Sequence, residues 1–282
     1  MMMRKMNIPM LRSVIYALLG GIVFILGLNL LSSIPTAFQD VFKAGLPLLF
    51  LILFFMSRRY FPNQTTVFLA FFLVATGWAL DYYLTGILKT LFSLDTGELS
   101  GFAYTMGIST LLVSTPVIIG WLMAGRELST IYLQGSGKIW GVAAGITGLL
   151  FFGGLGALQA LSQGLEIKGI GAALPMVLVF SLANGFREEL VYRAVFLRGF
   201  QQNIGIVSAI VVTTLVFALA HVDASYTPAN LIAFSIVLVI IGVAGSLIMM
   251  KTGSLIGAVL FHAGADVLLL MGLLSSGQLA LP

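Results

Sequence analysis

The stretch GAALPMVLVFSLANGFREELVYRAVFLRGF, residues 171–200, is long and apolar enough to cross a bilayer, yet it holds four charges within ten residues: Arg187, Glu188, Glu189 and Arg193. What surrounds it decides whether it lies in water or in lipid. The chain of 282 residues has only 14 Lys and Arg and 10 Asp and Glu, 9% charged against 59% hydrophobic, with a mean hydropathy of +1.08. A soluble domain carries about 25% charged residues, so this chain has too little charge to cover a water-facing surface. Only helices and closed barrels satisfy their backbone in lipid. The apolar runs are continuous over roughly 18–22 residues, the length of a helical span, and do not alternate with period two, which excludes a barrel. The fold class is an all-α polytopic integral membrane protein.

Outward from that stretch, apolar runs lie at 13–31, 41–57, 67–91, 104–125, 138–161, 204–222, 229–250 and 253–274. With 171–200 they predict a bundle of eight or nine transmembrane helices. The second run is crowded at its start by Asp40, Lys43 and Pro47, and the third contains Asp81 and Lys89, which suggests a bent or partly interfacial helix. The longest polar stretches, around 92–103 and 126–137, read as loops. No internal repeat and no soluble domain is visible. The run after Arg12 is longer than a signal-peptide core and reads as a retained first span.

The net charge of +4 and the pI near 9.4 do not indicate nucleic acid, because the basic residues fall singly and in pairs between apolar runs, as in membrane loops. With all nine runs spanning, Arg4, Lys5, Arg12, Arg58, Arg59, Arg126, Lys138, Arg198 and Lys251 lie on the N-terminal side, against Lys43, Lys89 and Lys168 on the other. That bias predicts a cytoplasmic N-terminus. The chain has no Cys, so thiol chemistry and Cys-ligated metal are absent.

On one helix over 171–200, Asn184, Glu188 and Tyr192 share a face, and Glu189 lies one turn before Arg193, where the two can pair. Pairing lowers the cost of burying both in lipid. Glu188 has no such partner and is the candidate general base; Arg187 reads as facing polar groups at a cavity rim. The chain has two His. His221 ends TTLVFALAH, with Phe217 one turn earlier, and His262 lies in GAVLFHAGAD, with Asp266 one turn later. From the neighbouring turns Glu188, His221 and His262 lie about 20, 27 and 16 Å along their helices, which lets them meet at one depth. Taken singly, Glu189–Arg193 reads equally well as a structural ion pair, each His as an interhelical hydrogen-bonding group, Asp266 as a donor–acceptor or relay, and Tyr192 and Phe217 as packing residues. Their conjunction in a chain so poor in charge reads as a site.

The segments EELVYR, FALAH and HAGAD fit, in order, the EExxxR, FxxxH and HxxxN/D motifs. In this they resemble the CPBP family of intramembrane proteases, the CAAX proteases and bacteriocin-processing enzymes also called the ABI family, which includes type II CAAX prenyl endopeptidases. The resemblance covers about 171–274, leaving 1–170 as N-terminal transmembrane helices of unassigned role within one membrane domain. It implies a glutamate-type endopeptidase that works without a metal. Glu188 would activate water with the help of His221, His262 and Asp266 would stabilise the oxyanion, and Glu189 and Arg193 would hold the site together. Many members have Asn where this chain has Asp266, and an ionised Asp cannot donate to an oxyanion. Ala194 stands where Gly often follows the Arg.

Glu188 or Glu189 with His221 and His262 also suits a zinc shell, a proton-coupled carrier would use the cluster as a relay, and an inactive relative would serve as a membrane scaffold. The reading adopted is hydrolysis of a peptide bond in a membrane-anchored or amphipathic, in some relatives lipidated, peptide. The expected location is a cell membrane crossed several times: the inner or plasma membrane of a prokaryote, or the endoplasmic reticulum of a eukaryote. The expected partners are the bilayer and that peptide, with no nucleic acid.

Overall fold

Lipid offers no partner to a free N–H or C=O, so each apolar run closes its own hydrogen bonds as a helix. The computed structural model of the protein describes residues 11, 13–15, 17–21, 35–134, 137–221 and 231–281. Among these there is no strand, only an isolated bridge between Glu98 and Ala280. The helices are α1 (Thr36–Tyr60), α2 (Thr65–Leu91), α3 (Leu99–Met123), α4 (Ile139–Ser162), α5 (Ile167–Glu188), α6 (Arg198–Ile204), α7 (Ile206–Leu219), α8 (Leu231–Thr252) and α9 (Ile256–Ser275). A π-helical segment, Glu189–Leu197, joins α5 to α6 without a break.

Seven helices among the described residues are long and apolar enough to cross a membrane, with α5 through α6 forming one run of 38 residues, Ile167–Ile204. Seven is the count among the described residues, and two of the nine expected runs, 13–31 and 204–222, are not in it. The run 204–222 yields a helix of only 14 residues, about 21 Å long against a hydrocarbon core of about 30 Å. Most of the run 13–31 lies outside the described residues, as do Arg4, Lys5 and Arg12. The second run, by contrast, is a full helix of 25 residues that accommodates Pro47. The third is continuous to Leu91, and its Asp81 accepts a hydrogen bond from Thr85 at 2.7 Å. The polar stretch after α2 is shorter than expected, because α3 begins at Leu99.

The outer surface is apolar, with Leu48, Ile52, Leu111, Leu150 and Val207 all more than half exposed, as a bundle facing lipid requires. Alternation of the spans sorts the charges. Arg58, Arg59, Arg126, Lys138, Arg198 and Lys251 fall at one end, which we call the basic end. Lys138 N–H bonds Thr252 O at 3.1 Å and Leu255 N–H bonds Tyr132 O at 3.0 Å, so the α3–α4 and α8–α9 connections meet there. Asp40, Asp95, Glu98 and Glu166 lie toward the opposite end.

Glycines set how closely the C-terminal helices approach. A Cβ on Gly264 would lie 2.6 Å from Gly148 O, and one on Gly156 2.8 Å from Leu268 Cα, so α9 packs backbone to backbone on α4. Helix α9 also packs on α5, which in turn carries α3 through a Thr110 Oγ1 bond to Ala183 O at 3.0 Å. Both apolar core clusters draw side chains from before and after residue 170. This frame brings the end of α5, the π segment, the end of α7 and the first turns of α9 together inside the bundle.

Candidate active site

Glu188 is the last residue of α5, and its two oxygens face different partners. Oε1 accepts from Arg187 Nη2 at 3.3 Å. Oε2 has no hydrogen-bond partner among the described residues, and stands 3.7 Å from His221 Nε2 and 3.5 Å from His262 Nε2. The structure thus brings Glu188, His221 and His262, 74 residues apart at the extremes, around one small space. All three are buried, Glu188 at 6% exposed.

Each ring is held by its other nitrogen. His221 Nδ1 lies 2.8 Å from Phe217 O. A carbonyl only accepts, so Nδ1 carries the hydrogen, and Nε2 of the neutral ring presents a lone pair to Glu188. His262 Nδ1 lies 2.8 Å from Glu189 Oε1 and donates to that carboxylate. Its Nε2, 3.8 Å from Asp266 Oδ1, is a donor in the imidazolium form. Aromatic edges fix both rings further: the Phe217 centroid is 4.7 Å from that of His221 and 5.7 Å from that of His262.

Glu189 and Arg193 pair as expected, Nη1 to Oε1 at 3.1 Å, with both side chains wholly buried. The pair does more than neutralise itself, since the same Glu189 oxygen orients His262. The guanidinium carbon of Arg193 lies 4.0 Å from the Phe217 ring centroid, a cation–π contact strengthened by exclusion of water. Phe217 and Tyr192, read from sequence as packing residues, are packing residues of the site itself, with centroids 5.3 Å apart. Glu189 Oε2 faces Gly245 of α8, where a Cβ would come within 2.8 Å.

Two expectations are corrected. The charged stretch is not one α-helix: it widens to i→i+5 bonding from Glu189 onward, and such turns gather at functional sites. Nor is Arg187 at a rim, or Glu188 without a local counter-ion. Arg187 is 8% exposed; its Nη1 donates to Ser109 Oγ at 2.6 Å and its Nη2 to Asn184 Oδ1 at 2.7 Å as well as to Glu188. Its guanidinium also lies over Trp78 of α2, 5.1 Å from the ring centroid. Asn184, turned by that bond, donates Nδ2 to Asp266 Oδ2 at 3.0 Å. A chain of polar contacts thus runs from Ser109 through Arg187 and Asn184 to Asp266, tying α3, α5 and α9. Adjacent residues on a helix do not face each other, so the sequence carried no signal for Arg187 with Glu188; only the reach of a long side chain joins them. Nothing in the sequence pointed to Ser109.

Among the described residues no three His, Asp or Glu are grouped as ligands for a metal ion. What the arrangement offers is a carboxylate oxygen and an imidazole lone pair facing one gap, with a second imidazole and a side-chain oxygen beside it. Those are the elements of water activation and of stabilising a developing negative charge.

A family model described as Rce1-like type II CAAX prenyl endopeptidase matches residues 170–268, about a third of the chain. The match spans the two His, both Glu and Asp266. No curated protein and no solved structure matches the chain.

Proposed function

We propose that the protein is an intramembrane endopeptidase of the glutamate type, hydrolysing a peptide bond in a membrane-associated peptide without a metal. The observation that carries this reading is Glu188 Oε2, a buried carboxylate oxygen with no hydrogen-bond partner among the described residues, 3.7 and 3.5 Å from two ring nitrogens. A water between Oε2 and His221 Nε2 donates one hydrogen to each. Glu188 takes the first proton as the water oxygen attacks the scissile carbonyl. The oxyanion receives a hydrogen bond from His262 Nε2–H, and the proton held by Glu188 passes to the leaving amine. Arg187 keeps Oε1 occupied, so that Oε2 is the oxygen left for the water. Glu189 and Arg193 do not touch the reacting atoms; they hold His262 in place and neutralise each other.

The protease family whose model matches supports the reaction class, and the charge-poor bundle supports a substrate that reaches the site from the bilayer. The substrate class to try first is the one in that family's description, a prenylated peptide with a CAAX-type end; an unlipidated amphipathic peptide is the comparison. By the positive-inside tendency, the basic end faces the cytoplasm.

The test is cleavage of a fluorogenic membrane-anchored peptide by purified protein and by Glu188→Ala, His221→Ala and His262→Ala. Loss in all three, with spectra and unfolding temperature preserved, supports the reading. Full activity in Glu188→Ala sinks it.

A further inference from the structure

Helices α1 and α3 both pack on α2 and splay apart over one face of it, leaving a trough of about 1110 Å³. Its walls are apolar, with Phe55 from α1, Leu69 and Leu80 from α2, and Leu111 from α3; its mouth at the basic end carries Arg58 and Arg126. The glutamate site is elsewhere, and the trough shares no residue with it. From Thr65 to Leu80 the floor runs about 22 Å, about three-quarters of the roughly 30 Å hydrocarbon core. The trough thus runs from its cations at the basic end past the middle of the bilayer.

Among the described residues neither guanidinium has a carboxylate partner, since the ion pairs there include neither Arg58 nor Arg126. Arg126 is held in position, its guanidinium 5.7 Å from the Trp121 ring centroid, while Trp121 Nε1 donates to Thr130 Oγ1 at 3.0 Å. The neighbouring carboxylate, Glu127, is engaged through Oε2 by Ser129 at 3.0 Å. Two guanidiniums lining the basic end of an apolar channel match a phosphate with an acyl chain below it.

We propose that this trough is a binding site for one anionic phospholipid of the leaflet at the basic end, its phosphate between Arg58 and Arg126 and an acyl chain along α2. This does not depend on the protease reading, because lipid retention is measured without substrate.

The experiment is native mass spectrometry of the detergent-solubilised full chain titrated with phosphatidylglycerol, with phosphatidylcholine and with inorganic phosphate. Wild-type protein retains one phosphatidylglycerol in preference to phosphatidylcholine, and phosphate alone does not compete. Arg58→Gln with Arg126→Gln weakens that retention about thirtyfold, from roughly 1 kcal/mol for each basic group near an anionic lipid. Thr115→Trp, which narrows the trough and keeps both charges, weakens it too. Arg59→Gln with Arg198→Gln, at the same end but outside the trough, does not. Equal loss in that second pair, competition by phosphate alone, or unchanged retention in the first pair overturns the proposal. Unfolding temperatures of all variants in phosphatidylcholine separate lost binding from lost fold.

Discussion

Oε2 of Glu188 and Nε2 of His221 face each other at 3.7 Å, and both are acceptors when the imidazole is neutral. Two acceptors at that distance do not bond directly; a water with two hydrogens satisfies both. Glu188→Gln replaces the base with an amide of the same shape, so the bundle should fold as before. Activity should fall by about 10²–10⁴, the usual contribution of a positioned acid–base group. Peptide cleavage measured beside circular dichroism checks this.

Arg187 holds Oε1 of Glu188 and, through Asn184, one oxygen of Asp266. Arg187→Lys keeps the charge but cannot make the fork of bonds to Ser109, Asn184 and Glu188. We expect kcat to fall by about 10²-fold, the scale of a small misplacement of catalytic groups, with KM little changed. A kcat loss shared by Lys and Gln variants with unchanged unfolding temperature marks positioning; a wild-type kcat in Arg187→Gln would show that Glu188 needs no such anchor.

Arg193 and Glu189 are a buried pair in which removal of one partner strands the other. Arg193→Met should destabilise by about 3–5 kcal/mol, read as a large drop in unfolding temperature in detergent. Combining it with Glu189→Leu should recover much of that stability, since an apolar pair needs no desolvation. Activity should stay low in the double variant, because His262 Nδ1 loses its acceptor.

At Asp266, Oδ2 accepts from Asn184 and Oδ1 faces His262 Nε2 at 3.8 Å. Asp266→Asn can keep the first bond through its carbonyl and turn an amide donor toward the oxyanion side. Retained or increased kcat is expected, while Asp266→Leu, which removes both contacts, should lose about 10²-fold, the scale of a small misplacement of catalytic groups.

If water is activated by Glu188 rather than by a metal, a strong chelator should leave the cleavage rate unchanged and elemental analysis should find metal well below one equivalent. Loss of activity on chelation with recovery on adding zinc would move the assignment to a metal-dependent protease.

Composition and run length were enough to read an all-helical membrane bundle, because lipid imposes its requirement on every apolar residue and so repeats it along the chain. The spacing of Glu189 and Arg193 showed their pairing for a related reason: i,i+4 neighbours meet whatever the rest of the fold does. Motif order singled out Glu188, His221, His262 and Asp266. Span count was less legible, since 204–222 has the composition of a span but folds as 14 helical residues, and composition does not measure where a helix stops.

What the chain dictates alone is thus what depends on neighbours in sequence: burial in lipid, helix by helix, and contacts one turn apart. Tertiary structure decided the rest. It set the split of Glu188 between Arg187 on one oxygen and two imidazoles near the other, the relay from Ser109 to Asp266, and the trough under Arg58 and Arg126. Each of these joins side chains from helices far apart in sequence. Their meeting is set by how closely glycines let helices approach, how α1 and α3 splay, and how far a guanidinium reaches, none of which a local pattern encodes.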